Sequence, residues 1–270
     1  MMHPMLNIAI RAVRKGGDII IQNYDTHKFI KEDIEKNKTF IKNIIYKTNK
    51  IISEIIHKSY PHHIILKKNE NIIFKQNEKN TIWVINELDG KNNFIKYFPY
   101  FCISIAVVVK SKTEISVIYD PIKNDLFTAV KGQGSQLNGY RTRCSKINTL
   151  NYTTVAVNLP NTIYSKTLSY FEIYKKLVLC GISFRCTGST VLDAAYVAAG
   201  KIDCLFDFNL EPNNFIASKL QVREAGCLIS DFTGGHEDNN CHSGNITSSP
   251  KFVRLITEKI RACYFNQIKN

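Results

Sequence analysis

No stretch of 18 or more apolar residues occurs in the chain, which excludes an ordinary membrane-spanning helix. The start, Met1-Met2-His3-Pro4-Met5-Leu6-Asn7, lacks the charged region and long apolar segment of an export signal, so a cytosolic protein is expected. The eight cysteines, at 102, 144, 180, 186, 204, 227, 241 and 263, include no C-x-x-C pair, so neither a zinc ribbon nor a local redox dithiol is spelled out. Most stand in apolar surroundings, as Cys102 does before Ile103-Ser104-Ile105-Ala106-Val107, and read as reduced core thiols. Acidic residues are scarce: 23 Asp and Glu face 36 Lys and Arg, a net charge of +13. Such an excess fits an anionic partner, nucleic acid above all. It equally fits compositional drift, since Lys, Ile and Asn are over-used throughout. Residues 1–80 hold 15 Lys and Arg against 8 Asp and Glu, a net +7, and this asymmetry favours a binding face.

What the chain does contain is enough apolar material, 44% of 270 residues, for one large unit or two intimately packed parts. Leu6, Ala9, Ile10, Val13 and Ile20 recur at helical spacing over 4–23, where Gly16-Gly17 permits close backbone approach. Residues 24–38 are polar without period and read as a loop; a second helix is expected at 39–59, stopped by Pro61. Apolar runs then predict strands at 63–66, 81–85, 101–109, 114–119 and 125–130 in one mixed sheet. The second half alternates strand and helix: a strand at 154–157, helices at 164–179 and 189–199, a strand at 202–206, a helix at 213–225, a strand at 227–230 and a helix at 250–264. The expected organisation is a single α/β unit with an N-terminal α+β part (1–150) and a C-terminal α/β part (151–270).

The most informative segment is Ile82-Trp83-Val84-Ile85-Asn86-Glu87-Leu88-Asp89-Gly90-Lys91-Asn92-Asn93-Phe94, an apolar strand running into a carboxylate, a glycine and a polar turn. It resembles the signature of the inositol monophosphatase family, an apolar strand followed by D-P-x-D-G-[TS]-x-N-[FY]. Asp120-Pro121, Lys131-Gly132-Gln133-Gly134, Leu137-Asn138-Gly139, Thr187-Gly188-Ser189, Tyr196-Val197-Ala198-Ala199-Gly200 and Ser230-Asp231-Phe232-Thr233-Gly234-Gly235 follow in family order with family-like spacing. The N-terminal His3-Pro4-Met5-Leu6-Asn7-Ile8-Ala9 is similar to the SuhB-type bacterial branch. The resemblance implies a layered α-β-α-β-α sugar-phosphatase fold with mixed sheets, a homodimer, and Mg²⁺-dependent hydrolysis of phosphate monoesters. Hard Mg²⁺ needs several oxygen ligands, chiefly carboxylates, to neutralise a phosphate dianion and acidify the attacking water.

Residue by residue, the resemblance also implies that most of those ligands are gone. Asn86 stands for the first Asp of the turn and Glu87 for the Pro, leaving Asp89 and the Leu88 carbonyl. Lys68 or Asn69 occupies the place of the metal-binding Glu, with Glu70 a partial substitute, and Asn214 replaces the Asp of the family's W-D pair. The Thr that orients the attacking water is Lys91, whose ammonium has donors but no acceptor, and its Asp partner is Ile45, which has no polar atom. An ammonium about 4 Å from a divalent cation adds roughly 8 kcal/mol of repulsion at an effective dielectric of ~20, twice the unit-charge figure. Even a quarter of that, on top of three lost ligands, takes Mg²⁺ affinity below what cells supply, so no cofactor is expected.

Gly90, Lys91 and Asn92 keep the backbone N–H groups that hold phosphate in the family, and Asp207 falls where the family has a Glu against the substrate ring. Asp207 otherwise reads as an ordinary strand-end carboxylate, Asp193 as a structural group capping or pairing with Arg185, and Asp231 as part of a turn. His62-His63 are adjacent and point to opposite strand faces, which argues against a metal pair. The SuhB-type branch implies a Nus-factor role in ribosomal RNA transcription antitermination, through other Nus factors, RNA polymerase and the ribosomal RNA leader, none of which requires Mg²⁺. The alternative is a residual Mg²⁺-dependent inositol-1-monophosphatase.

Overall fold

A computed structural model describes residues 3–26, 34–67, 80–159, 165–208, 212–232, 234–235 and 245–268. Two long helices, α1 (Pro4–Thr26) and α2 (Ile34–Ser59), lead into β1 (Ile64–Lys67) and β2 (Ile82–Asp89). A short helix α3 (Lys91–Ile95) is followed by β3 (Cys102–Val109), β4 (Lys112–Asp120), β5 (Asp125–Val130), β6 (Gly134–Leu137) and β7 (Tyr140–Thr142). The second half comprises β8 (Thr154–Asn158), α4 (Ser165–Val178), β9 (Ser183–Arg185), α5 (Thr190–Ala198), β10 (Cys204–Asp207), α6 (Pro212–Glu224), β11 (Leu228–Asp231), β12 (Asn245–Ser248) and α7 (Pro250–Ile268).

The strands form a seven-stranded sheet in the order β1-β2-β3-β4-β5-β6-β7 and a five-stranded sheet in the order β11-β12-β10-β8-β9. Only β1 and β2 run parallel in the first; the second pairs β10 parallel with β8 and antiparallel with β12. Three apolar clusters hold the layers together. Leu6, Val13, Ile44 and Ile52 of α1 and α2 meet Trp83, Ile85, Ile103 and Ile105 on one face of the large sheet. Val84, Cys102 and Ala106 on its other face meet α5 and α6, which also cover Ala156 and Leu205 of the small sheet. The outer face of the small sheet, with Val155, Val157, Cys204 and Phe206, packs against α4 and α7 through Ile173, Phe252 and Ile256. The result is the expected α-β-α-β-α layering. Because strands β2 and β3 are covered on both faces, they read as continuous apolar runs rather than alternating ones.

Several boundaries differ from expectation. The polar segment 24–38 is not one loop: α1 continues to Thr26 and α2 begins at Ile34, because helix ends need no apolar period to extend. Strands β6, β7, β9 and β12 carry short, polar or mixed sequences and are placed chiefly by backbone pairing, with the Ser135 and Thr142 hydroxyls adding a 2.9 Å bond between β6 and β7. His63 is structural. Its Nδ1 accepts the Trp83 Nε1–H at 2.9 Å, and its ring stacks on Tyr60 at 4.6 Å.

Gly16 and Gly17 set the seat of α1. A Cβ on Gly17 would lie 2.6 Å from the Tyr119 ring of β4, whereas one on Gly16 would meet only the ends of Ile52, Thr48 and Ile103 at 3.0 Å or more. Gly17→Ala is therefore expected to cost about 1–3 kcal/mol by overpacking, while Gly16→Ala stays within about 1 kcal/mol as helix propensity offsets the crowding. Urea unfolding followed by fluorescence of Trp83, the chain's single tryptophan, checks the order of the two variants.

Candidate functional site

The site is organised by one irregularity in β2. Asn86 pairs with Ser104 and Asp89 with Cys102, so β2 spends three steps where β3 spends two. This bulge places Glu87 and Leu88 together on the side of α1 and α2, where Asn49 Nδ2 donates to Glu87 Oε1 at 2.7 Å. It also turns Asp89 inward, toward α5. Asp89 Oδ2 accepts the Ser189 hydroxyl at 2.6 Å and the Val191 N–H at 3.2 Å, an N-terminal cap supplied from another strand. Gly90 then takes a left-handed conformation (φ 84°), and a Cβ there would stand 2.8 Å from the Tyr100 carbonyl.

Beyond Gly90, Lys91 and Asn92 open α3 on the surface, whereas Asn93 is committed inside. Its Nδ2 donates to the carbonyls of Tyr100 and Thr187, both at 2.7 Å, tying α3 to the segment that leads into α5. The next layer is Asp193, 1% exposed, whose carboxylate accepts Tyr100 Oη–H and Thr187 Oγ1–H, each at 2.6 Å. Burial pushes the Asp193 carboxyl up to about 7; the two hydroxyl donors pull it down, and the charges of Asp89 and Asp207 raise it further. Asp207 is itself buried at the end of β10, where Asn158 Nδ2 donates to it at 2.8 Å.

The predicted site residues thus divide. Asp89, Leu88, Gly90, Lys91 and Asn92 lie consecutively at the end of β2, and Asp193 and Asp207 lie within electrostatic reach of one another. Asn86 is buried on the same inward face, and its amide has no protein hydrogen-bond partner among the described residues. Ile45 packs, partly buried, against the α1–α2 cluster, on the other face of the sheet from α5. Lys68, Asn69 and Glu70 lie outside the described residues, as does the side chain of Asn214 at the start of α6. Asp193 does not meet Arg185, which donates instead to the Phe184 carbonyl; helix α5 carries Asp193 inward, to Tyr100 and Thr187. Tyr100, Thr187, Ser189 and Asn93 were not foreseen as one network, because their sequence separations give no periodic signal. Asp231 closes the turn foreseen for it, accepting the Gly235 N–H at 2.8 Å.

Mg²⁺ asks for a near-octahedral set of oxygens. Among the described residues no group of three or more His, Cys, Asp or Glu is placed to hold a metal ion. Asp89 Oδ2 already accepts two hydrogen bonds, and Asn86 offers a neutral amide where a carboxylate would neutralise the ion. These residues do not fit the cation.

The family model for the inositol monophosphatase family matches residues 1–264. The chain belongs to the inositol monophosphatase family. Within it, the chain is 80% identical over 264 residues to the Nus factor SuhB of Buchnera aphidicola subsp. Acyrthosiphon pisum, covering 97% of this chain and 99% of that protein. It is 44% identical over 261 residues to the Nus factor SuhB of Escherichia coli K12, covering 96% and 97%. Among solved structures, the extragenic suppressor protein SuhB of Bartonella henselae superposes with a TM-score of 0.80 at 26% identity, covering 96% of this chain and 100% of that one. The Thermotoga maritima IMPase shares the fold, with a TM-score of 0.79 at 22% identity.

Asp193 offers a test of the network. With a folded-state pKa near 7 against an ordinary carboxyl value near 4, the fold favours the protonated group. Its contribution is therefore complete below pH ~4 and is lost as pH rises through about 7. Asp193→Asn removes this titration and keeps an acceptor for Tyr100, so the stability difference between variant and parent should grow in the variant's favour from pH 5 to 8. Asp193→Ala should cost about 2–5 kcal/mol at every pH, since it leaves the part-buried Tyr100 and Thr187 hydroxyls without their acceptor. Urea titrations across that pH range measure both.

Proposed function

We propose that this chain is a SuhB-type Nus factor, acting in the cytoplasm by protein and RNA contacts that support ribosomal RNA transcription, and that its phosphatase site has become a structural joint. The observation that carries the reading is the use of Asp89: the surviving carboxylate of the metal turn is spent on capping α5, beside Asn86 and Lys91, while the whole fold is kept. Identity of 80% with a protein named Nus factor SuhB supports the Nus-factor part of this reading. Among the described residues no helix is long and apolar enough to cross a membrane.

The outer face of α2 supports an anionic partner. Lys38, Lys42, Lys47 and Lys50 are exposed along it with Tyr46, which is 66% exposed, and Glu54 is the nearest following acid on that face. Four residues of helix advance about 6 Å, a step comparable to the spacing of phosphates along a strand. Exposed tyrosine beside lysine suits base stacking. Pairing with a second copy is supported by the edge strand β9 and the apolar Phe171, Tyr174 and Leu179 exposed on the neighbouring α4 and its end.

Two measurements test the reading. Purified protein is expected to release no phosphate from myo-inositol 1-phosphate at millimolar Mg²⁺; turnover above the no-enzyme control that EDTA abolishes would return the chain to the phosphatases. Binding of a single-stranded leader RNA, followed by anisotropy at several salt concentrations, should be steeply salt-dependent. Lys42→Ala, Lys47→Ala and Lys50→Ala together should lower the log–log slope by about 2, whereas Lys175→Ala, Lys251→Ala and Lys259→Ala on α4 and α7 should leave it unchanged. Equal losses from both sets would mark the charge as compositional drift.

A further inference from the structure

Cys144 and Cys227 stand 83 positions apart in the sequence and meet where the two sheets are joined. Cys144 lies in the connection from β7 to β8, and its N–H donates to the Ala225 carbonyl at 3.2 Å, just past the end of α6. Cys227 follows the helix stop at Gly226, which has φ 87°; the Gly226 N–H reaches the Arg223 carbonyl and the Cys227 N–H the Val222 carbonyl, both at 2.9 Å. From the other side, Gly200 at the end of α5 is so close that a Cβ would lie 2.8 Å from the Arg143 carbonyl. Three backbone anchors therefore hold both cysteines at one junction of the central cluster.

The two sulfurs differ in the way a redox pair requires. Cys144 is half-buried beside exposed Arg143, whereas Cys227 is buried in the central cluster. We propose that Cys144 and Cys227 are a reversible thiol–disulfide switch, with Cys144 the attacking thiol and Cys227 the resolving one, and with a peroxide or a small-molecule disulfide as oxidant.

Interaction with Cys227, aided by the Arg143 charge, brings the Cys144 thiol down to about 7, while interaction with Cys144 and burial drive Cys227 up. Reactive thiols occupy such partly exposed, electropositive places, and sensor thiols sit beside a resolving partner. With hydrogen peroxide, the Cys144 thiolate attacks one oxygen, the O–O bond breaks, and a sulfenic acid forms with release of one water. Cys227 sulfur then attacks Cys144 Sγ, gives up its proton, and displaces the sulfenic oxygen as a second water. Two thiols lose two electrons, and the peroxide gains them. With glutathione disulfide, two glutathione thiols leave instead. A reducing glutathione pool keeps the pair open, and an oxidising episode closes it.

Closure fastens the connection between the sheets to the end of α6. The loop so constrained is long, and the oxidised protein should melt several degrees above the reduced one. The test uses the full chain, reduced and then titrated with hydrogen peroxide or glutathione disulfide, alkylated and digested. Mass spectrometry should find the Cys144 and Cys227 peptides joined, two hydrogens lighter than their sum, and separated again by dithiothreitol. In Cys227→Ser, dimedone should trap a sulfenic acid on Cys144, and in Cys144→Ser Cys227 should remain unmodified. Alkylation of Cys144 should rise with pH around neutrality. If oxidation falls mainly on exposed Cys186, or if no Cys144–Cys227 link is present once half of the protein has reacted, the switch does not exist. Neither outcome bears on Nus-factor activity.

Discussion

The Asp89 carboxylate, turned inward by the bulge in β2, receives the Ser189 hydroxyl and the Val191 N–H and so fixes the start of α5 against the end of the large sheet. Helix α5 is buried from Val191 to Ala198, so its first N–H groups have no water to turn to, and a negative charge at that end also meets the positive pole of the helix. Much of the central layer follows from this placement. Thr187 and Gly188 approach Asn93, Asp193 is delivered to Tyr100, and Tyr196 is left to meet Asp125 and Lys123 on the β4–β5 hairpin. Hydrogen bonds to a charged group contribute about 1.5–3 kcal/mol each, and linked ones reinforce each other. In this chain the bond between Asp89 and α5 requires no ion.

That arrangement separates what the fold needs from what a metal site needs. A divalent-ion site needs several oxygens, chiefly carboxylates, around one charge centre, and residues that act as a unit contribute far from additively. The fold depends on a different subset of atoms: the bulge, Gly90, the cap of α5 and the apolar faces of β2 and β3. Asn86 separates the two demands. It stands where the family signature has Asp, pairs in register with Ser104, and leaves the strand intact, yet its buried amide finds no protein partner among the described residues. Such a group costs about 1–3 kcal/mol, which a well-packed chain of this size tolerates.

Much of this was legible in the sequence, and for definite reasons. Apolar periods located α1, α2, α5 and the strands β2 to β5, because two-sided burial writes a strong pattern, and the Asn86–Phe94 segment with its ordered companions carried the family and hence the layers. The short strands β6, β9 and β12 left no such trace, since Gly134-Ser135-Gln136-Leu137, Ser183-Phe184-Arg185 and Asn245-Ile246-Thr247-Ser248 gain their place from backbone pairing with neighbours already formed. The re-use of Asp89 was equally invisible. A one-residue bulge decides which face a carboxylate points to, and nothing in Glu87-Leu88-Asp89 states where the extra residue is absorbed. The approach of Cys144 to the end of α6, beside Cys227, joins positions 83 apart through the Cys144–Ala225 backbone bond and the helix stop at Gly226, so cysteine spacing could not show it.

The replacements around Asp89 also have a sense beyond loss. Carboxylates gathered for a divalent ion repel one another when no ion is bound, and two unit charges 4 Å apart at an effective dielectric of 20 cost about 4 kcal/mol. Asp193 is held up to about 7 chiefly by burial, and the charges of Asp89 and Asp207 add a smaller repulsion of this kind. A neutral amide in place of an acid, as at Asn86, removes one such repulsion, and Lys91 adds a positive charge to the same turn. Asp89 stands where these demands meet: its Oδ2 caps α5 through the Ser189 hydroxyl and the Val191 N–H, so drawing that oxygen onto a cation would uncap the helix.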